Sequence, residues 1–337
     1  MSRQTGEKNR EEEKLRAMPD PLTIDGKIIL PGEDKQLHLR IARLPTYTNI
    51  DLPVRVIRSE KPGPVLMLSG GLHGDEINGI EIVRRMIADN LLKPKIGSVI
   101  AVPLMNIYGF IQNVRGVPDG KDINRSFPGS KSGSLAKLVA YTIMNKIVPL
   151  IDIGIDFHTG GASRKNLPQI RCIVNNNKDL ELAMAFAPPV IVHSSLIDKS
   201  FRKAAKKKGK RILVYETGEA LRFDEEGIEE GIEGTMRLMQ HLKMHTEAPK
   251  PNQSEVYQKS GWVRASYAGL FKPAVHLGEY VKKRTVVGWL TDPFGNENMK
   301  IISRREGRVI GLNNNPVVHK GDAILHLATD KMNSSNG

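Results

Sequence analysis

Hydrophobic and polar positions alternate between residues 37 and 59, which predicts two β-strands joined by a polar turn at residues 46–49. Further along, short apolar runs alternate with segments whose apolar residues recur at helical spacing. We predict strands there over residues 65–68, 98–104, 151–157, 170–174, 190–192 and 211–215. We predict helices over residues 77–92, 134–148, 180–186, 199–208 and 225–244.

Strands separated by helices predict an α/β fold, with a mostly parallel or mixed sheet sandwiched by helices. The composition changes at residues 247–252, beyond which short strands alternate with glycine turns, as in a small all-β domain. We therefore predict a polar N-terminal extension (residues 1–36), an α/β domain (residues 37–246) and a β-rich domain (residues 247–337).

The chain has 337 residues, 39% hydrophobic and 26% charged, as in an ordinary soluble globular protein. No apolar run reaches the roughly 18 residues of a membrane span, so no membrane partner is expected. Its single cysteine, Cys172, allows no intrachain disulfide, and the charged N-terminus has no apolar signal core. These features favour a cytoplasmic protein.

The net charge of +13 suits small anionic substrates, nucleic acid or acidic membranes. Aromatic residues make up only 5% of the chain and do not interleave with basic residues in the manner that stacks bases, so we expect no nucleic-acid partner. The densest basic run, residues 202–211, is typical of a solvated helix end, with phosphate contact as the alternative.

Candidate metal ligands stand where two predicted strands end. His73 and Glu76 lie in a glycine-rich turn after the strand over residues 65–68, spaced so that an imidazole nitrogen and a carboxylate oxygen can meet. His158 follows the strand over residues 151–157. A catalytic zinc takes three such N/O ligands and keeps one position open. We therefore predict one zinc per chain at the carboxyl edge of the sheet.

A zinc hydrolase also needs a general acid/base, and Glu216 stands at the end of a third predicted strand. Glu219 is the alternative if the turn points the other way. Asp156, two residues before His158, is expected to accept the far N–H of a ligand imidazole. Its alternative role is that of an ordinary hydrogen-bonding residue at a strand end.

A long loop is predicted over residues 106–128, and loops of this length in compact domains are usually functional or disordered. Asn124 and Arg125 can together bind a substrate carboxylate, while Arg115 can stabilise a developing oxyanion. In a basic protein, ordinary surface ion pairing remains the alternative for both arginines.

With these residues in place, the chain resembles the succinylglutamate desuccinylase/aspartoacylase family, which is similar to the zinc carboxypeptidases. The resemblance covers about residues 40–330 and rests on the segments GLHGDE (71–76), NIYGF (106–110), DINRSFPG (122–129) and DFHTG (156–160). It implies zinc on His73, Glu76 and His158. It also implies Glu216 as the catalytic carboxylate, Arg115 as the group that polarises the carbonyl, and Asn124 with Arg125 as the substrate-carboxylate site.

The resemblance implies a zinc-dependent amidohydrolase acting on carbon–nitrogen bonds other than peptide bonds. Its substrate would be a small anionic N-acyl amino acid, split into a carboxylate and a free amine, and we expect a homo-oligomer. The C-terminal region looks like the hammerhead-like β domain of this family. The acyl group stays open, since its selecting cation is Arg164, Lys165, Arg171 or none of them.

Other functions remain open at this point. A zinc carboxypeptidase acting on peptide C-termini is the alternative within enzymes. Outside enzymes, the chain could be a non-catalytic module that has kept the fold, although the intact ligand set and Glu216 argue against this. A binder of nucleic acid or acidic surfaces would instead show salt-dependent retention on DNA without zinc dependence.

Overall fold

The computed structural model describes residues 19–43, 46–296 and 298–332. Residues 1–18 of the predicted polar extension therefore lie outside the described residues. The rest of that extension contains a small hairpin of β1 (Leu22–Ile24) and β2 (Lys27–Ile29), which the sequence pattern did not predict.

The remaining strands are β3 (Asp34–Arg43), β4 (Asn49–Arg58), β5 (Val65–Ser69), β6 (Ser98–Val102), β7 (Ile153–Gly160), β8 (Arg164–Cys172), β9 (Val190–His193), β10 (Arg211–Glu219), β11 (Glu255–Arg264), β12 (Gly269–Pro273), β13 (Tyr280–Val281), β14 (Val286–Thr291), β15 (Asn298–Ile302), β16 (Gly307–Asn313), β17 (Val317–Val318) and β18 (Ala323–Lys331).

The α-helices of the described residues are α1 (Ile77–Ala88), α2 (Ile107–Gln112), α3 (Leu135–Thr142), α4 (Asn177–Phe186), α5 (Phe201–Lys207) and α6 (Glu225–His241). A π-helical turn (Ile143–Ile147) and a 3-10 turn (Val148–Leu150) continue α3. The segment predicted as a loop over residues 106–128 is shorter than expected, because α2 and a 3-10 turn (Ile123–Arg125) lie inside it.

Twelve of these strands form one mixed sheet in the order β13-β16-β18-β11-β9-β8-β10-β7-β5-β6-β4-β3. The four central strands, β6-β5-β7-β10, are parallel neighbours. The antiparallel pairs lie outside them, which makes the sheet mixed and not mostly parallel. In such a sheet, functional groups gather beyond the carboxyl ends of the parallel strands.

Alternate residues of the central strands enter two separate hydrophobic clusters. Met67 and Ile100 pack with buried residues of α3 and α5. Leu66, Leu68 and Val99 pack instead with buried residues of α1, α4 and α6. Successive residues of a strand point to opposite faces of the sheet, and here both faces are buried. Each central strand therefore has to be a continuous apolar run, and such runs are what predicted these strands from the sequence.

The strands beyond residue 247 do not all stand apart from the large sheet. β11, β16 and β18 pair with one another, and with β8 and β9, in a closed ring of five strands. β12, β14, β15 and β17 form a four-stranded sheet of their own. The domain boundary at residue 247 stays a prediction, and hydrogen-bonded strand pairs cross it.

His158 and Glu216 were expected to follow their strands, but β7 and β10 continue past them. The two residues are direct neighbours in the parallel register, and the register shifts immediately after this pair. Irregularities of this kind often lie beside active sites, because they redirect the chain. Among the described residues, no helix is both long and apolar enough to span a bilayer.

Helix α1 lies so close to β7 that residue 79 has to be glycine. An ideal Cβ on Gly79 would lie 2.7 Å from both the Cβ and the carbonyl oxygen of Phe157. We expect Gly79→Ala to lower the free energy of unfolding by about 1–3 kcal/mol, as overpacking does. Urea denaturation measures this, with Gly261→Ala as control, since a Cβ there meets only the end of the Arg305 side chain. Equal stability of both variants would show that α1 can move away from β7.

Candidate active site

The turn between β5 and α1 is buried along its length and delivers His73 and Glu76 to the carboxyl edge of the sheet. Gly74 allows this because an ideal Cβ on it would lie 1.9 Å from the backbone carbonyl carbon of Gly109. Glu76 immediately precedes α1, so its carboxylate lies at the positive end of the helix dipole. Strand β7, next to β5, carries His158 to the same edge.

His73, Glu76 and His158 form a buried group whose ligand atoms all lie within 4.8 Å of one another. Oε2 of Glu76 lies 2.7 Å from Nδ1 of His158, and Oε1 lies 2.8 Å from Nδ1 of His73. The second contact lacks the alignment of a hydrogen bond, so Nδ1 of His73 has no hydrogen-bond partner among the described residues. A group of this composition could bind a metal.

The donor set fits a divalent zinc ion. A buried imidazole nitrogen without a hydrogen-bond partner is costly unless a cation or proton meets it. Here that nitrogen converges with a carboxylate and a second imidazole, the ligand types that catalytic zinc sites use. His73, Glu76 and His158 are therefore suited to hold the ion.

The outer nitrogen of each imidazole faces a further carboxylate. Nε2 of His158 lies 2.8 Å from Oδ2 of Asp156, whose Oδ1 accepts a hydrogen bond from Ser69. Nε2 of His73 lies 3.1 Å from Oδ1 of Asp122. Such contacts fix the tautomer and the ring orientation of imidazoles that bind metals. In the sequence, Asp122 is one of the residues of the long loop that favour a functional role for the loop, but it has no specific role of its own there.

These five side chains form a largely buried row in which carboxylates and imidazoles alternate, in the order Asp122, His73, Glu76, His158 and Asp156. Burial lowers the pKa of His158, but Asp156 and Glu76 outweigh it and raise that pKa well above its ordinary value. Burial likewise lowers the pKa of His73, which Glu76 and Asp122 raise overall. Burial raises the pKa of Glu76, yet the two imidazoles bring it well below its ordinary value. Without metal, the row therefore favours an ionised Glu76 and the protonated forms of both imidazoles.

Arg115 lies between two carboxylates of this row. Its Nη1 donates to Oε1 of Glu76 at 2.9 Å, and its Nη2 donates to Oδ2 of Asp122 at 3.2 Å. The side chain is 42% exposed, so its guanidinium also borders open space. With three carboxylates, Arg115 and two imidazolium ions the formal charge is zero, and it stays zero if one divalent metal replaces the two imidazole protons.

The segment after Asp122 positions Asn124 and Arg125. Oδ1 of Asn124 accepts a hydrogen bond from the backbone N–H of Phe201 at 2.9 Å, which turns its amide nitrogen away from that contact. Nη1 of Arg125 donates to the backbone oxygen of Asn124 at 2.7 Å. Both residues face the same cavity as the His-Glu-His group.

Glu216 lies next to His158 in the sheet and is held by two donors. Nδ2 of Asn166 donates to its Oε2 at 2.8 Å, and Nη1 of Arg171 lies 3.3 Å from its Oε1. Glu219, the alternative base, accepts a hydrogen bond from Asn314 and lines a different cavity. Glu216 and Glu219, the two candidates for the base, therefore face different cavities.

A cavity of about 430 Å³ brings the candidate site residues together. Its lining includes all eight: His73, Glu76, Arg115, Asn124, Arg125, Asp156, His158 and Glu216. Arg164 and Arg171 also line it, whereas Lys165 pairs with Asp224 and lines the neighbouring cavity instead.

Three further residues at the site were missed from the sequence. Asp122 stood close to recognised residues, and its spacing from Asn124 was the available signal. Asn166 and Trp262 line the cavity from β8 and β11. No local pattern marked them, because they reach the site through strand pairing and not through nearness in sequence. Asn166 lies on β8, which pairs antiparallel with β10, and Trp262 lies on β11, far beyond Glu216 in the sequence.

The sequence model of the succinylglutamate desuccinylase/aspartoacylase catalytic domain matches residues 62–242. The chain is 28% identical over 298 residues to the N-alpha-acetyl-L-2,4-diaminobutyric acid deacetylase of Halomonas elongata, covering 82% of this chain and 85% of that protein.

Two solved structures have a similar fold. A succinylglutamate desuccinylase/aspartoacylase from Rhodobacter sphaeroides aligns with a TM-score of 0.80 and 24% identity, over 94% of this chain and 100% of that one. The product-bound ectoine utilization protein EutE (DoeB) from Ruegeria pomeroyi aligns with a TM-score of 0.79 and 22% identity, over 92% and 98%.

Asp156→Asn tests the carboxylate behind His158. An amide is a weaker acceptor than a carboxylate, so we expect zinc affinity to fall about 10–100-fold, as when such groups are replaced in other metal sites. Competition with a chromophoric chelator measures it. Asp119→Asn, an equal charge change at an exposed position of the loop before Asp122, is the control. Unchanged affinity in Asp156→Asn would mean that this contact does not support the metal.

Metal binding should also release protons. Both imidazoles have pKa values raised above the ordinary value in the metal-free protein, which favours their protonated forms, and a cation must displace those protons. Calorimetric titration of the metal-free protein in buffers of different ionisation enthalpy should therefore show a net release of protons on zinc binding. A binding enthalpy independent of the buffer would contradict this account of the buried row.

Proposed function

Because this chain belongs to the succinylglutamate desuccinylase/aspartoacylase family, we propose that it is a zinc-dependent hydrolase of N-acyl amino acids. The bond broken is the amide, and the products are a carboxylate and a free amine. One zinc ion per chain would be held by His73, Glu76 and His158. The acyl group remains to be identified.

One observation carries the proposal: the buried His-Glu-His group lies in one cavity with Glu216 and several arginines. The cavity offers an acid/base group, fixed cations for negative charge and a candidate metal site. A binding module without catalysis would need no such combination. The combination of these groups supports hydrolysis of an acyl bond with an anionic substrate.

Substrate binding is assigned to Asn124 and Arg125. Asn124 keeps its amide N–H groups available because its oxygen is occupied by the backbone of Phe201. Arg125 adds a fixed positive charge and planar donors that match a carboxylate. Together they would hold the carboxylate of the amino acid and so set the position of its acylated nitrogen.

Glu216 would move the protons. Its carboxylate takes a proton from the attacking water, whose oxygen bonds to the acyl carbon. It then returns that proton to the amine nitrogen as the carbon–nitrogen bond breaks. Asn166 and Arg171 fix the carboxylate for both transfers.

Arg115, held by Glu76 and Asp122, would stabilise negative charge on the acyl oxygen. Zinc bound at the site would supply a Lewis acid that polarises the carbonyl and makes water more acidic.

The named relatives agree with this type of reaction, since the protein from Halomonas elongata is a deacetylase of an acylated amino acid. A carboxypeptidase acting on peptide C-termini is the alternative activity. Trp262, supplied by β11, is one of the residues that line the cavity. Cytoplasmic location and homo-oligomerisation stay predictions.

The function is tested by metal analysis followed by a substrate screen. Zinc-loaded protein is incubated with N-acetyl and N-succinyl amino acids and with short peptides, and released amine is measured. We expect amine release from acylated amino acids, lost on chelation and restored by zinc. Release from peptide C-termini alone would favour the carboxypeptidase, and no release from any substrate would contradict the proposal.

Glu216→Gln tests the acid/base assignment. The amide keeps the size of the side chain but cannot accept the proton, so we expect kcat to fall by at least about 10²–10⁴-fold while zinc stays bound. Glu219→Gln is the matched control, because that residue faces another cavity, and it should retain activity. Parent-level turnover by Glu216→Gln would exclude it as the base.

A further inference from the structure

We propose that a groove in the C-terminal strands binds a chain of phosphoryl groups, at a site distinct from the active-site cavity. Six basic residues line this basic groove: Arg264, Lys283, Arg284, Lys300, Arg304 and Arg305. It encloses about 1030 Å³, more than twice the active-site cavity. The matched catalytic segment ends at residue 242, so the groove lies outside it.

The charge of the basic groove is uncompensated within the described part of the chain. No carboxylate belongs to its described lining. Leaving aside Lys300, its cations form no ion pair with a described carboxylate, although other cations nearby do. Arg308 and Lys331 both pair with Glu255, for example, and Lys259 pairs with Asp330. Lys272, Lys282 and Lys320, outside the groove, likewise form no ion pair with a described carboxylate, so the groove is distinguished by the clustering of its cations.

Backbone hydrogen bonds hold the groove's cations close together. The N–H of Arg284 donates to the oxygen of Ser303 at 2.8 Å, and the N–H of Ser303 donates to the oxygen of Thr285 at 2.9 Å. These bonds join the turn that carries Lys283 and Arg284 to the turn that carries Arg304 and Arg305. The two turns cannot separate to relieve repulsion without losing them, so an anion between the turns would be stabilised.

The lining favours phosphate groups over nucleobases. Stacking of bases needs a free aromatic face. The ring of Trp262 stacks on His326 at a centroid distance of 4.3 Å, and Arg164 lies 5.7 Å from its centroid. The four arginines offer planar paired donors that suit phosphate oxygens. The volume is close to that of small-molecule sites, which favours a compact oligophosphate over a polymer.

Two sources share this chemistry: free inorganic oligophosphate and the phosphate tail of a nucleotide. Gly261 provides a way to test the site, because an ideal Cβ there would lie 3.1 Å from Nη1 of Arg305 and no other heavy atom would be within 4 Å. Gly261→Asp would place a carboxylate against the groove's cations. Gly261→Asn adds nearly the same atoms without charge, and is therefore its matched control.

The experiment titrates the zinc-loaded full chain with tripolyphosphate, ATP and duplex DNA by calorimetry, at about 50 mM and about 200 mM NaCl. Zinc content is measured before and after, because phosphates bind zinc. We expect tripolyphosphate to bind and to weaken with salt. Gly261→Asp should weaken it roughly tenfold, while Gly261→Asn stays within about twofold of the parent.

Comparison of the ligands then identifies the source. Equal binding of tripolyphosphate and ATP would indicate recognition of phosphates alone, and tighter ATP binding would indicate a nucleotide. Three results would overturn the proposal: no binding of either phosphate ligand, equal loss in both Gly261 variants, or binding that neither variant changes. Preferential binding of DNA that only Gly261→Asp weakens would replace the small ligand with a nucleic acid.

Discussion

The carboxylate of Glu76 is the group on which the site depends, because it lies between two buried imidazoles and contacts both. Asp122 and Asp156 flank the imidazoles on their outer sides. A buried row of this kind is tolerable only when its charge is balanced. Together with Arg115, two protons or one divalent metal bring the formal charge of the row to zero, so the same side chains can be balanced with or without a metal.

The sheet determines where that row can lie. β5 and β7 are adjacent and parallel, so their carboxyl ends lie at the same edge of the sheet. The turn that joins β5 to α1 lies at that edge too. β10 is the next strand, and its register sets Glu216 beside His158. Glu216 and the His-Glu-His group are thus positioned by backbone hydrogen bonds, which makes their spacing rigid.

The C-terminal strands also help to position residues of the active-site cavity. β16 pairs with β8, and Gly311 lies beside Asn166, the residue that donates to Glu216. An ideal Cβ on Gly311 would lie 3.0 Å from Oδ1 of Asn166. Through this contact, strands far from the metal ligands in sequence take part in holding the carboxylate. They also supply Trp262 as a wall of the active-site cavity and carry the basic groove.

Local signals in the sequence determined the parallel central strands, the helices beside them and the residues of the His-Glu-His group. Apolar runs of strand length, helical spacing and His73-x-x-Glu76 are all readable within a few positions of one another. What only the tertiary structure decided is which distant residues meet: Asp122 with His73, Asn166 with Glu216, and β16 with β8. Strand order and register arise from pairing between remote segments, and no short pattern records that pairing.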